Sequence, residues 1–321
     1  MSRSATGPMV RALLVLLLGG GAVTTSFGFE VHDHGDHERQ FRQAELWWES
    51  IYRPVDELPV SLLHSLQPGL DRLAVKPEHA FFDRRSGRWG TLIITRPMIP
   101  GPGVGNDLQW SDLALPEPQS ADGAGPAAWR AFSAFLTDHA DELRFNPDEF
   151  ARPNVSADGE RLIRIYLPRQ HAGIPVRDSF VTASINSGNL VLMGQRNWAD
   201  IDLDTRPAVS SEQALEVVRS HLESDHAPRL FERPRLEIIP VSDQPHENLV
   251  RDVGQGLQFR LAWVLMPMVD GPDDIWEALI DAHDGQLLAF DDLKHYSTRK
   301  VSGGVYPVSN DGIPPDGIEQ R

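Results

Sequence analysis

The chain has 321 residues, carries 46 Asp and Glu against 30 Lys and Arg for a formal charge of −16, and contains no cysteine. That length admits two or three domains with cores of their own, and the acidic balance repels phosphate backbones, which argues against nucleic acid as a partner. Disulfides and thiolate metal sites are excluded, so any fold must rest on its core or on an ion held by oxygen or imidazole ligands.

Residues 1–28 read as a secretory signal. Arg3 and Arg11 supply its positive region, Ala12 to Leu18 its apolar core, and Ser26 and Gly28 the small residues before a cleavage site near Gly28. The apolar run is far short of the ~20 residues a bilayer requires, and there is no cysteine to acylate. The expected location is therefore secreted, periplasmic or extracellular, with no membrane attachment after cleavage. Behind the signal stands VHDHGDHERQ, whose His32, His34 and His37 have a spacing that can chelate a divalent ion. A solvated mature N-terminus explains the same composition, so the three histidines are candidates and no metal is assigned.

From Gln40 to Tyr52 the apolar residues suggest an amphipathic helix. Ala80-Phe81-Phe82, the turn Arg84 to Gly87 and Trp89 to Thr95 suggest a hairpin. Residues 97–126 are rich in Pro and Gly and form the clearest boundary, a linker or long loop. Gly101, Gly103 and Gly105 do not make a phosphate cradle, because no strand runs directly into a helix and no Gly-Lys-Ser/Thr follows.

Beyond residue 126 the pattern becomes regular. Trp129, Phe132, Phe135 and Leu136 share a helical face, and strands are expected at Arg161 to Leu167, Phe180 to Ile185 and Leu190 to Gly194. A second helix starts at Ser210, with strands at Arg235 to Pro240, Gln258 to Met266, Ile275 to Ile280 and Gln286 to Phe290. The expected fold is α+β: two successive helix-on-antiparallel-sheet modules after a signal peptide and an unassigned N-terminal region. The boundaries follow as 1–28 for the signal, 29–96 for the unassigned region, 97–126 for the linker, 127–204 and 205–293 for the modules, and 294–321 for a tail.

Catalytic motifs are lacking. No His-Glu-x-x-His occurs; His246-Glu247 comes nearest, with Val250 where the second histidine would stand. No Gly-x-Ser-x-Gly elbow occurs either. The acidic stretch WEALIDAHDGQLLAFDD invites a calcium-loop reading, but a frame beginning at Asp281 puts His283 at position 3 and Gly285 at position 5, and fails. Alternation on both sides of Asp284-Gly285 fits a hairpin instead.

Several of these segments resemble known pro-region modules. Leu261-Ala262-Trp263-Val264 followed by Trp276 to Leu288, with the Asp281-Ala282-His283-Asp284-Gly285 turn, resembles the end of a PepSY domain, and Ser210 to Ala214 resembles its helix start. Ile163 to Tyr166, Gly173-Ile174-Pro175-Val176, Phe180 and the Gly188 turn resemble the fungalysin/thermolysin propeptide (FTP) domain. FTP followed by PepSY is the order found in the pro-regions of secreted thermolysin-like and fungalysin-like zinc metallopeptidases. The resemblance spans about residues 127 to 293. It implies an intramolecular chaperone and inhibitor, with no catalytic residue and no cofactor in this chain. The zinc would belong to a metallopeptidase catalytic domain acting in cis or in trans. The tail, with Val305-Tyr306-Pro307, resembles the opening of a mature fungalysin-like region, so either the chain is a fragment of such a precursor or the module serves another exported protein. The expected peptidase-contact turns are Gly173, Ile174, Pro175 and Val176, and Asp281, Asp284 and Gly285. The alternatives are a non-enzymatic exported binding or surface protein built from the same modules, and a truncated gene without a function of its own.

Overall fold

The computed structural model describes residues 39–43, 46, 52–113, 123–158, 161–242 and 253–293. The expected signal, His32, His34, His37 and the tail from 294 lie outside them. In chain order the elements are β1 (Phe41–Arg42), β2 (Tyr52–Pro54), α1 (Val60–Leu73), β3 (Ala80–Asp83), β4 (Arg88–Pro97), α2 (Ala124–Asp138) and α3 (Ala140–Leu143). There follow β5 (Asn154–Asp158), β6 (Leu162–His171), β7 (Ile174–Asn186), β8 (Asn189–Arg196), α4 (Ser211–His221), β9 (Arg229–Leu230) and β10 (Arg235–Val241). The last four are β11 (Gln258–Leu265), β12 (Pro267–Met268), β13 (Trp276–Asp281) and β14 (Leu287–Asp292).

Local sequence accounts for most of these. Helix α4 begins with a full capping box, Ser210 accepting from the Gln213 N–H and Gln213 accepting from the Ser210 N–H. Arg219 and His221 sit in its last turn, where cations suit the helix dipole. Helix α2 buries Phe132, Phe135 and Leu136 as its spacing requires. Helix α1 buries Leu66, Leu70 and Leu73 despite Pro68 in its interior, and ends with Ala74 in the left-handed region. Sequence reading misses α1 because Pro68-Gly69 interrupts its pattern. The helix expected over 40–52 gives way, in its described part, to an extended segment: Phe41 and Arg42 pair with Phe290 and Ala289 of β14.

The two expected helix-on-sheet modules are not what forms. Twelve strands make one mixed sheet in the order β1-β14-β13-β11-β10-β7-β8-β4-β3-β2, with β6 and then β5 branching from β7. β9 and β12 pair separately. The cause lies in β7, a strand of 13 residues. Against β6, Pro168 faces Phe180 while Gln170 faces Pro175, so one residue of β6 lies opposite the four from Val176 to Ser179. This is a wide bulge, and Asp178 at its centre is left-handed with φ 52°. Aspartate tolerates that conformation better than most residues. Below the bulge Val176 pairs in parallel with Ile238 of β10; above it Phe180 to Asn186 pair with β8. The kink thus gives one strand two different neighbours along the same edge, and fuses both halves of the chain.

The bulge is tied down chemically. Ser179 Oγ donates to the Asn197 carbonyl at 2.8 Å, and Asn197 Nδ2 donates to the Asp178 carbonyl at 3.0 Å. Arg177, beside it, donates from Nε to Glu237 of β10 at 2.7 Å and from both terminal nitrogens to Glu277 of β13 at 2.6 and 2.9 Å. Burial by itself lowers the Arg177 pKa. The hydrogen bonds and charge of Glu277, then those of Glu237, outweigh it and hold the pKa above its ordinary value.

Residues 98–106 fold against the β7–β8 turn. Met98 and Ile99 donate N–H to the Gly188 carbonyl, and Gly103 donates to Ser187. A side chain at Gly101 would place its Cβ 2.4 Å from the Ser187 oxygen, so glycine is required by contact.

Replacing Arg177 with alanine leaves two nearly buried carboxylates without their common partner. The expected loss is about 3–5 kcal/mol in urea unfolding. The triple change R177M/E237Q/E277Q, which removes the charges together, is expected to recover more than half of it.

Candidate functional site

The molecule offers three candidate sites: the two turns singled out by sequence and a cavity that the sequence pattern does not reveal. Gly173 follows Ala172 in the β6–β7 turn; both have positive φ, 82° and 49°. A side chain at Gly173 would meet nothing within 4 Å, so this turn projects freely. Pro175 is exposed, whereas Val176 is buried in an apolar cluster with Ile238, Leu261 and Ala282, against which Ile174 packs.

The β13–β14 turn is built differently. Asp281 is 4% exposed. Its carboxylate accepts from the His283 and Asp284 N–H groups at 2.8 and 3.1 Å and from Arg260 at 3.1 Å. Asp284 lies outward and accepts from the Gln286 N–H at 2.8 Å, while Gly285 supplies φ 77°. Val176, Ile238, Leu261 and Ala282 form a row across four strands, which sets the two turns three strand spacings apart, about 14 Å. β7 and β13 run in the same direction. The first turn precedes β7 and the second follows β13, so they leave the row toward opposite ends of the sheet.

The cavity lies beside the β7 bulge and has a volume of about 520 Å³, within the range of small-molecule sites. Arg169 reaches it from β6, where Ile163, Ile165, Leu167 and Arg169 occupy successive inward positions. Its side chain donates to Glu149 at 2.7 Å and to the Asn197 carbonyl at 3.4 Å. It stacks over Trp198 at 4.8 Å and over Phe259, from the other half of the chain, at 5.6 Å. Burial pulls its pKa down, against the opposing pull of Glu149. Glu149 is shared with His171, whose Nδ1 lies 2.8 Å away.

Arg88 and Arg144 complete the basic wall. Arg88 holds the exposed carboxylate of Asp200 at 2.7 Å, and its Nε is buried with no hydrogen-bond partner among the described residues. Arg144 stands at the end of α3 in the left-handed conformation, φ 60°. Its guanidinium makes a single hydrogen bond among the described residues, a long one of 3.5 Å to the Gly87 carbonyl. No described carboxylate lies within ion-pair distance of it. Burial, and then the positive charge of Arg88, lower its pKa. Phe145 and Trp198 give the cavity aromatic surface, and Asp141 stands exposed on its lining. The loop at Gly87 is itself fixed, since a Cβ there would come within 2.8 Å of Gly254. The one readable sign of this site was an arginine at an inward position of the β6 alternation.

Among the described residues no group of three His, Asp or Glu is placed to hold a metal ion. No described helix is long and apolar enough to cross a membrane.

No family model and no curated protein matches the chain. Among solved structures it has a distant neighbour in the Bacillus megaterium YpeB C-terminal domain, at 14% identity and a TM-score of 0.28, covering 67% of this chain and 81% of the other. The likeness to FTP and PepSY text therefore rests on the residues quoted for it.

The Asp281 and Asp284 environments separate cleanly in a mutational test. D281A should cost about 2–3 kcal/mol, because it leaves two turn N–H groups and Arg260 without their acceptor. D284A should cost less than about 1 kcal/mol, as expected for an exposed carboxylate accepting one bond. Thermal and urea unfolding of the two variants measure the difference.

Proposed function

We propose that this chain is a non-catalytic pro-region-type module that assists folding of a zinc metallopeptidase domain and covers its substrate cleft, in cis or in trans. The observation that carries the reading is the open edge of β5. This strand pairs only with β6 among the described strands, four of its five residues are exposed, and only Val155 is partly buried. Its unpaired backbone groups can accept an extended segment of another polypeptide by strand addition. The backbone runs alongside β6 from the Phe150–Arg169 bridge to Asp158, and at one end lies the freely projecting Ala172-Gly173 turn. An edge and a neighbouring prominent turn together suit a long groove in a partner enzyme. The FTP and PepSY resemblance supplies the class of partner.

The full chain is expected to slow a co-encoded zinc metallopeptidase at near-equimolar ratio and to raise the yield of that enzyme on refolding. Successive N–H groups of a strand point to opposite edges, so either Ser156 or Ala157 turns its N–H outward. A proline at the outward position leaves the β5–β6 ladder intact and blocks edge pairing. Of S156P and A157P, the one that keeps the wild-type melting temperature should lose inhibition at least tenfold. Full inhibition by that folded variant, or no inhibition and no refolding gain from the wild-type chain, overturns the proposal.

A further inference from the structure

The cavity beside the β7 bulge is not used by strand addition at β5, and it presents an unusual charge arrangement for so acidic a protein. Two guanidinium groups, Arg88 and Arg144, face it with donors to spare. Arg88 has a buried Nε without a partner, and its one carboxylate partner, Asp200, is 95% exposed at the side chain. Arg144 has no described ion-pair partner at all, and its hydrogen bond to Gly87 is long. The remaining guanidinium, Arg169, is fully engaged by Glu149 and by the Trp198 face, so it forms wall and leaves the other two as open donors. Ala140 and Ile201, half-buried on the lining, offer the apolar surface on which the body of a small ligand can lie, and the buried Phe145 and Trp198 back it as inner wall.

We propose that this cavity binds a small oxyanion, a carboxylate or phosphate group carried on an apolar or aromatic body, with Arg144 and Arg88 as its charged donors. Guanidinium forks match the paired oxygens of both groups. Burial makes the gain larger than at an open surface, because Arg144 has no described ion-pair partner and the only one of Arg88 is the solvent-exposed Asp200. Asp200 would be displaced toward solvent on binding, at small cost for an exposed pair. The Glu149–Arg169 pair remains in place and orients Trp198. This inference is independent of the peptidase reading: the cavity adjoins the Phe150–Arg169 end of the β5 edge, but the ligand is of a different class and meets side chains, not strand backbone.

Calorimetric titration of the full chain with inorganic phosphate, benzoate and, as a neutral control, benzamide tests it. At least one of the two anions is expected to bind saturably at one site, and benzamide is not. R144N, chosen because asparagine tolerates the left-handed backbone at this position, should weaken anion binding at least tenfold, which corresponds to about 1.4 kcal/mol. R88Q should weaken it similarly, and carries the test if R144N alters the circular dichroism or melting temperature. D200N should bind as tightly as the wild type or more tightly. Preference for phosphate assigns the site to a phosphorylated ligand; preference for benzoate assigns it to a carboxylate with an apolar body. The proposal is overturned by absence of binding for both anions up to about 10 mM, weaker than the range of ordinary specific ligands. Wild-type affinity in folded R144N and R88Q, or equal binding of benzamide, overturns it too.

Discussion

The bulge in β7 is the constraint on which the rest of the molecule depends. A regular strand presents one continuous edge and takes one neighbour along it. Here Asp178 turns into the left-handed region, the strand bends, and the same edge serves β10 before the bend and β8 after it. Such a kink leaves backbone groups that must be satisfied: Asn197 Nδ2 donates to the Asp178 carbonyl, and Ser179 and Arg169 hold Asn197 there by donating to its own carbonyl. Arg177 then joins three strands through two carboxylates. Because the guanidinium is held by hydrogen bonds from both sides, its burial becomes tolerable. A lone charge at that depth would destabilise the sheet.

The same region decides where a site can exist. Arg169 lies opposite the bulge, and its contacts reach Glu149, Trp198 and Phe259, residues contributed by separate parts of the chain. The Arg84-to-Gly87 turn is clamped by residues 254 and 256, whose N–H groups donate to the Arg84 and Arg85 carbonyls. A Cβ on Gly87 would come within 2.8 Å of Gly254, while Gly254 is held to glycine by its φ of 87°. Arg88 starts β4 at the end of that clamp and therefore points into the cavity from a fixed base. Three arginines meet there because three elements converge, each bringing one, and the carboxylates of Asp141, Glu149 and Asp200 stand on the same lining.

The acidic stretch around Asp281 illustrates the opposite outcome. Its carboxylates look like chemistry in the sequence, yet Asp281 spends its lone pairs on two turn N–H groups and Arg260. A buried carboxylate already accepting three hydrogen bonds has little capacity left for a ligand. The turn after β6, poorer in charge, is the one that projects into open space.

The local elements are legible in the sequence: the α2 and α4 faces, the capping box at Ser210, the β6–β7–β8 run and the Asp284-Gly285 turn. Each of these follows from periodicity, capping or turn chemistry within a few neighbouring residues. The sequence also contained one legible trace of the cavity, Arg169 at the inward position that follows Ile163, Ile165 and Leu167. Tertiary packing is what joins the strands in one mixed sheet, carries α1 through Pro68, and lays Phe41–Arg42 extended on the edge of β14. It alone brought Arg88, Arg144 and Arg169 together. Those outcomes depend on pairings between residues far apart in the chain, above all Val176 with Ile238 and Arg177 with Glu277. No local pattern encodes such pairings, because their free energy appears only when both partners have already been placed.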